Sequence, residues 1–288
     1  MKLLLLGSTG LLGTSLKKYL ENSNYDFNCF VRSEKYPCNN AQEIFNALNY
    51  IIDYLKPEVI INLVAATNVD ECENNLKLAS LLNTEFTHLI SDICRGNTTI
   101  NPYIIHLSSD QVYSGPGPHN ESNVNPINIY ALTKLLGEYP IIRDNGCVLR
   151  TNFFGQSLIK ERISFSDWLI NSSKKNQPVN VFKDVLFSPL GIDSLCHAIL
   201  LCVKNKISGL YNLGSNSSGV SKADFAHLLY KNLKLDESLL HHINSIDVNL
   251  KAKRPTDMRM NSDIFSIETG FLIPTIEEEI INEYRDYL

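Results

Sequence analysis

Short apolar runs alternate with segments of helical period through the first half of the chain. The predicted strands lie at 3–6, 27–31, 59–64 and 103–107, and the predicted helices at 11–20, 41–55 and 76–94. Almost continuously apolar runs are typical of strands that are buried on both faces, as in a parallel sheet covered by helices. The pattern therefore predicts an α/β fold with a doubly wound (Rossmann) parallel sheet.

The second half of the chain is less regular. A loop rich in Ser, Gly, Pro and Asn at 108–128 precedes a helix at 130–139 and a strand at 147–151. Further strands are predicted at 179–182 and 210–213, and further helices at 165–175, 193–203, 222–233 and 276–287. We expect a Rossmann domain over 1–152, to which elements up to about 205 partly return, and a smaller C-terminal α/β substrate-binding lobe over 153–288. The length of the loop indicates a functional segment.

A glycine-rich turn follows the first predicted strand and opens the first predicted helix. Gly7, Gly10 and Gly13 have the spacing Gly-x-x-Gly-x-x-Gly. The first glycine permits a tight turn, the second lets the backbone approach a pyrophosphate, and the third allows close packing of helix and strand. The helix N-terminus attracts the anion. We predict an NAD(P) cofactor held by Gly7, Thr9, Gly10, Leu11 and Leu12.

The end of the second predicted strand carries a cation. Arg32 and Ser33 stand where NAD-specific folds place an acidic residue for the ribose hydroxyls. A guanidinium can pair with a 2′-phosphate through two hydrogen bonds. The sequence therefore favours NADPH over NADH.

A phenol and an ammonium group share one face of a predicted helix. Tyr130 and Lys134 are four residues apart, and Ser109 precedes Tyr130 by 21 residues at the end of a predicted strand. Hydride addition to a ketone leaves negative charge on oxygen, which must be stabilised and protonated. We predict that Tyr130 is the acid, that Ser109 hydrogen-bonds the same oxygen, and that the charge of Lys134 lowers the pKa of Tyr130.

Composition limits the partners and the cellular compartment that we expect for this protein. The formal net charge is −5, from 26 Lys and Arg against 31 Asp and Glu, and there is no basic block, so neither nucleic acid nor an acidic membrane is an expected partner. The first apolar run ends at Gly7, too soon for a signal peptide. Seven irregularly spaced cysteines indicate reduced, mostly buried thiols and a cytoplasmic protein.

The glycine spacing resembles that of extended short-chain dehydrogenase/reductases, and nearly the whole chain is similar to the dTDP-4-dehydrorhamnose reductase family. The stretches that carry the resemblance are Ser109-Asp110 with Val112-Tyr113 and Gly115, Glu121 before 126–130, Lys134 with Gly137-Glu138, 148–151, Asp184 with Ser188-Pro189, 209–214, and Arg254-Pro255. The resemblance implies an enzyme that uses NADPH to reduce the 4-keto group of a nucleotide-linked deoxysugar for surface polysaccharides.

The resemblance also implies roles for further residues. Lys134 would contact the nicotinamide ribose, the loop after the third strand would run beside that ribose, and Asn83 would support this part of the cofactor site. Arg254, assisted by Lys253, would lie near the substrate pyrophosphate. These implied residues are, for the cofactor, Ala65, Ala66, Thr67, Asn83, Tyr130 and Lys134, and, for the substrate, Asp110, Asn152, Lys253 and Arg254. A homodimer is a further expectation, and no carboxylate cluster is assigned to a metal.

The sequence leaves two alternative functions open and disfavours a third. An epimerase or epimerase/reductase of the same superfamily would keep Ser109, Tyr130 and Lys134. A non-catalytic regulatory subunit, similar to that of methionine adenosyltransferase, would not need them. A 4,6-dehydratase is disfavoured because Gln111 is an amide where those enzymes carry a glutamate that moves protons.

Overall fold

The structure is a computed structural model that describes residues 1–33, 38–97, 100–159, 162–216 and 218–285. Its strands are β1 (Lys2–Leu6), β2 (Asp26–Phe30), β3 (Val59–Asn62), β4 (Tyr103–Ser109), β5 (Cys147–Thr151), β6 (Phe153–Phe154), β7 (Val179–Phe182), β8 (Leu186–Phe187), β9 (Leu190–Gly191), β10 (Gly209–Leu213), β11 (Val220–Ser221) and β12 (Leu240–Ile243). Its helices are α1 (Leu11–Glu21), α2 (Ala41–Leu55), α3 (Val69–Asn74), α4 (Leu76–Ser80), α5 (Phe86–Gly96), α6 (Ile129–Arg143), α7 (Phe165–Lys174), α8 (Ile192–Asn205), α9 (Lys222–Asn232), α10 (Asp263–Thr269) and α11 (Ile276–Glu283).

A parallel sheet of six strands forms the centre of the fold. Its order is β10-β5-β4-β3-β1-β2, so the chain direction across the sheet reverses between β1 and β3. Leu6 of β1 pairs with Asn62 of β3, which pairs with His106 of β4, so the carboxyl ends of these strands share one edge. Ligands of doubly wound folds bind at this edge, beside the point of reversal. The predicted Rossmann sheet is confirmed.

The first strand shows why the apolar runs are continuous. Leu3 and Leu5 face the core formed with α1 and α8, whereas Leu4 and Leu6 face the core formed with α2 and α5. All four side chains are fully buried. Because the sheet is covered on both faces, alternate residues of a strand are equally apolar.

A second hydrophobic core lies in the C-terminal half. It gathers aromatic residues of α7, α9 and the short strands, among them Phe154, Phe187 and Phe225, and it includes Ile280 of α11. Between these segments the chain returns to the main sheet, where α8 packs on one face and β10 adds the strand beside β5. The return therefore extends to Leu213, beyond the expected residue 205.

Two predicted helices differ in detail from the structure. The segment predicted at 76–94 consists of α4, a π-helical turn at Leu81–Glu85, and α5. A π turn offsets the following side chains from regular helical spacing, and periodicity alone does not reveal it. The last predicted helix ends at Glu283, and residues 286–287 lie outside the described part of the chain.

A buried ion pair between β5 and α6 fixes the long loop after β4. Arg150 of β5 and Glu138 of α6, each 2% exposed, pair at 2.6 Å. The same guanidinium donates to the hydroxyl of Tyr113 at 2.8 Å and to the carbonyl of Glu121 at 2.6 Å. Tyr113 in turn donates to Asn212 of β10 at 2.6 Å. Several of the stretches that resemble the reductase family therefore form one polar network that fixes this loop.

All seven cysteines are free thiols, and six of them are buried, as the sequence predicts. Burial raises the pKa of Cys94 to about 12. None of the described helices has both the length and the apolar character that a membrane crossing requires.

The C-terminal helix caps α8 with two carboxylates. Glu279 accepts hydrogen bonds from the backbone of Gly191 and from the hydroxyl of Ser194, the latter at 2.6 Å. Glu283 accepts from the backbone of Asp193 at 3.2 Å. Negative charge at a helix N-terminus is stabilising. However, burial, together with the neighbouring carboxylates, raises the pKa of Glu283 to about 7.

This pKa makes the stability of the fold depend on pH. The folded chain holds the proton of Glu283 more tightly than the unfolded chain does, so this group contributes stability below pH ~4.5 that is lost as the pH rises through about 7. We expect Glu283→Gln to raise the free energy of unfolding, relative to the wild type, by roughly 1–2 kcal/mol more at pH 8 than at pH 5. Urea denaturation at both pH values measures this difference. An equal effect at both pH values would contradict the prediction.

Candidate active site

The glycine turn has the geometry that its spacing predicts. Gly7 has a φ of +85°, and a Cβ atom there would lie 2.9 Å from the backbone carbon of Leu63, which follows β3. At Gly13 a Cβ atom would lie 2.1 Å from the carbonyl oxygen of Gly7. The first and third glycines are thus required by the backbone itself. At Gly10 a Cβ atom would meet only that same oxygen, at 3.4 Å, so the fold alone does not require glycine there.

The N-terminus of α1 fits an anionic group. Gly10 is its N-cap residue, and within the described part of the chain no side chain caps the helix. The first backbone N–H groups of a helix have no partner inside it. Thr9 is exposed, whereas Leu11 and Leu12 pack their side chains into the core and could offer a ligand only their backbone. The open space at Gly10 and the uncapped N–H groups fit a pyrophosphate.

Arg32 and Ser33 lie beyond the same sheet edge as the glycine turn. They follow β2, which pairs with β1, and both are exposed. Burial raises the pKa of the Cys38 thiol, and the positive charge of Arg32 partly opposes this rise. This position suits a contact with a group that extends outward from the glycine turn.

The loop after β3 is held against α6 by a single buried amide. Asn83, in the π-helical turn, accepts a hydrogen bond from the backbone of Ala66 at 2.8 Å and donates to the carbonyl of Ala66 at 3.2 Å. It also donates to the hydroxyl of Thr133 at 3.1 Å. Ala65 and Ala66 are partly exposed and Thr67 is exposed, so this loop is open to a ligand. Asn83 itself is fully buried, which favours a positioning role.

Ser109 and Tyr130 come together at the edge of the sheet. Tyr130, in the first turn of α6, is 8% exposed, and the Ser109 side chain at the end of β4 lies close enough to favour its ionised form. Ser109 Oγ accepts from the backbone of Gln111 and donates to Asp110, each at 3.2 Å. The structure therefore brings the two hydroxyl groups near each other. Tyr130 also packs with Ala66 in the loop after β3.

The expected lowering of the pKa of Tyr130 by Lys134 is wrong. Burial raises the pKa of Tyr130 to about 12, opposed by the neighbouring Ser109 hydroxyl and reinforced by the charge of Asp110. Lys134 Nζ instead donates to the carbonyl of Leu107 at 2.5 Å. Its own burial lowers the pKa of Lys134 to about 8. The phenol is consequently protonated at neutral pH and able to act as a proton donor.

Asp110 and Asn152 form a hydrogen-bonded pair next to Ser109. Asn152 Nδ2 donates to Asp110 Oδ2 at 2.6 Å, across the junction between β5 and β6. Burial raises the pKa of Asp110 to about 6, although the charge of Lys222 acts in the opposite direction. The sequence does not single out Lys222, because a lysine at the start of a helix is usually exposed. Only tertiary packing brings it near Asp110.

The two cations predicted near the substrate pyrophosphate, Lys253 and Arg254, have different surroundings. Arg254 forms an ion pair of 3.0 Å with Asp70 of α3, and Asp70 also accepts from the backbone of Ala252 at 3.0 Å. Lys253 is exposed, and its carbonyl accepts from Asn128, the N-cap residue of α6, at 2.9 Å. The segment is thereby tied to α3 and to the start of α6. Arg254 already has a partner, so a phosphate would have to compete with Asp70 or share the guanidinium.

A glycine turn at the start of the first helix, Ser109 beside Tyr130, and Lys134 one helical turn further on together define an extended short-chain dehydrogenase/reductase. The family model described as RmlD substrate binding domain matches residues 1–287. The chain belongs to that family.

Known proteins of similar sequence and structure agree with this assignment. The chain is 27% identical to a dTDP-4-dehydrorhamnose reductase of Salmonella typhimurium, over 96% of this chain and 95% of the relative. It is 26% identical to the spore coat polysaccharide biosynthesis protein SpsK of Bacillus subtilis, over 98% and 96%. A crystal structure of the Bacillus anthracis dTDP-4-dehydrorhamnose reductase in complex with NADP has a TM-score of 0.87 at 22% identity, covering 99% of each chain. The family resemblance predicted from the sequence is confirmed.

The glycine turn offers a matched pair of substitutions. We expect Gly13→Ala to lower the free energy of unfolding by about 1–3 kcal/mol, because its methyl group would collide with the Gly7 carbonyl. Gly10 has a φ of −80°, which alanine adopts, so Gly10→Ala should fold normally. Its methyl group would occupy the space of the predicted pyrophosphate and weaken NADPH binding at least about tenfold. Thermal unfolding and calorimetric titration measure the two effects. Normal NADPH affinity in Gly10→Ala would contradict this account of the cofactor site.

Proposed function

We propose that this protein is an NADPH-dependent reductase of the 4-keto group of a nucleotide-linked deoxysugar, and that it acts in surface polysaccharide biosynthesis. The observation that carries the proposal is the placement of the Ser109 side chain beside Tyr130, which packs against the loop after β3. The names of the relatives, dTDP-4-dehydrorhamnose reductase and a spore coat polysaccharide biosynthesis protein, support it.

The chain supplies the groups that such a reduction needs. NADPH, when bound, would supply hydride to the carbonyl carbon. Ser109 hydrogen-bonds the carbonyl oxygen, and Tyr130 transfers its phenolic proton to that oxygen as negative charge develops. Because its pKa is about 12, Tyr130 carries this proton at neutral pH. Lys134, one turn further along α6, would contact the nicotinamide ribose.

The cofactor assignment depends on two parts of the sheet edge. Gly7, Gly10 and the backbone of the first turn of α1 hold the pyrophosphate, and Arg32 with Ser33 receives the 2′-phosphate. Ala65, Ala66 and Thr67 border the nicotinamide ribose, with Asn83 fixing their backbone. The NADP complex of the Bacillus anthracis reductase supports the same choice of cofactor.

Other activities are less well supported. The similar proteins described above include reductases, which favours reduction over epimerisation and over a purely regulatory role. Gln111 accepts a long hydrogen bond from Asn128, 3.4 Å, and offers no carboxylate for a dehydratase. A cytoplasmic location, a homodimer and the division at residue 152 stay predictions.

The proton donor can be tested by Tyr130→Phe. We expect NADPH oxidation with dTDP-4-dehydrorhamnose to fall roughly 10²- to 10⁴-fold, since the acid is lost, while NADPH affinity stays close to that of the wild type. Tyr139→Phe is the matched control, because Tyr139 lies on the same helix but is 59% exposed. Unaltered turnover in Tyr130→Phe would refute the proposed acid.

The cofactor preference can be tested by Arg32→Ala. Loss of a charged hydrogen-bonding partner should weaken NADPH binding by about 10- to 100-fold and leave NADH binding nearly unchanged. Lys17→Ala serves as control, since Lys17 is 49% exposed on the outer face of α1. If the wild type bound NADPH and NADH equally well, the 2′-phosphate contact would be excluded.

A further inference from the structure

Lys222 is a cation held between two aromatic rings. Its Nζ lies 3.4 Å from the centre of the Phe187 ring and 4.8 Å from that of Phe165. Both rings belong to the second hydrophobic core or pack against it. Contacts of this kind stabilise an ammonium group, but they provide no hydrogen-bond acceptor.

The ammonium group of Lys222 has no partner that satisfies its three donors. Within residues that the structure describes, no carboxylate lies within 4.0 Å of it and no oxygen accepts a hydrogen bond from it; Asp110 is the charge that acts on it from further away. A partly desolvated cation without an acceptor is costly unless a ligand supplies one. Arg254, in contrast, is already paired with Asp70 at 3.0 Å. Lys222 is therefore the better prepared of these two cations to receive an added anion.

The position of Lys222 matches the order of groups in a sugar nucleotide. The charge of Asp110, which adjoins Ser109 and the proposed sugar site, acts on Lys222. Lys222 also lines a cavity of about 420 Å³. The other lining residues are largely aromatic or aliphatic, which suits a planar base, and they include Phe165, Trp168 and Phe182. Lys222 is thus common to the surroundings of Asp110 and to the lining of the cavity.

The segment that carries Arg254 runs close to the same place. Ser221, which precedes Lys222, pairs with Leu186 of β8. Leu186 also donates to the carbonyl of Thr256 at 2.7 Å, two residues after Arg254. The two cations are thus carried by neighbouring segments of the C-terminal half.

We propose that Lys222 binds the pyrophosphate of the sugar-nucleotide substrate, with the nucleoside in the cavity of Phe165 and Trp168 and the sugar against Asp110 and Asn152. This assignment rests on the proposed function, because it takes the substrate to be a nucleotide-linked sugar. Lys222 is then a substrate-binding residue that fixes the distance between the nucleoside and the reacting carbonyl.

The test uses dTDP as a probe of the nucleotide half alone. Trp168 is the only tryptophan of the chain and lines the cavity, so its fluorescence reports occupation, and calorimetry gives the dissociation constant. We expect Lys222→Met to weaken dTDP binding and raise the KM for the 4-keto sugar nucleotide by about 10- to 100-fold, with kcat changed less than threefold. Lys222→Arg should retain most of the affinity, and Lys231→Met, an exposed residue of the same helix, should match the wild type.

Thymidine separates a phosphate contact from a defect in the cavity. If Lys222 binds phosphate, thymidine should bind the wild type and Lys222→Met equally, and thermal unfolding of the two should agree. Equal dTDP affinities of wild type and Lys222→Met would overturn the assignment of Lys222. So would a loss of thymidine binding as large as the loss of dTDP binding. Failure of the wild type to bind dTDP at all would instead count against the proposed function.

Discussion

The active site depends on one buried amide, that of Asn83. Its three hydrogen bonds join the backbone of Ala66 to Thr133 of α6, and thereby join the loop proposed to border the cofactor to the helix that carries Tyr130. Gly137 permits this contact, because a Cβ atom there would lie 2.1 Å from the carbonyl oxygen of Asn83. A reduction requires hydride and proton to reach adjacent atoms, so the spacing between this loop and this helix is the critical distance.

Electrostatics in the site arise from local pairing and burial, and the net charge of −5 says little about them. Burial raises the pKa of Tyr130 to about 12 and lowers that of Lys134 to about 8, shifts that favour the neutral form of each group. Arg254 is neutralised by Asp70, whereas Lys222 is held by aromatic rings alone. An anionic substrate therefore meets a site whose cations differ in how readily they can bind it.

The second half of the chain contributes to the site because it is fastened to the sheet at several places. Arg150 and Glu138 fix the loop after β4, and Glu279 and Glu283 hold α11 against the N-terminus of α8. The contacts of Glu279 and Glu283 connect the second hydrophobic core, which includes Ile280 of α11, to α8, which packs on the main sheet.

The sequence by itself determined the parallel sheet and the glycine turn, and it singled out the three residues proposed for catalysis, because these depend on local periodicity and on short spacings such as the four residues from Tyr130 to Lys134. It could not determine the π turn at Asn83, the pairing of Arg254 with Asp70, or the effect of burial on the pKa of Tyr130. The sequence likewise did not indicate a role for Lys222. These features depend on which distant segments pack together and exclude water, and only the tertiary structure decides that.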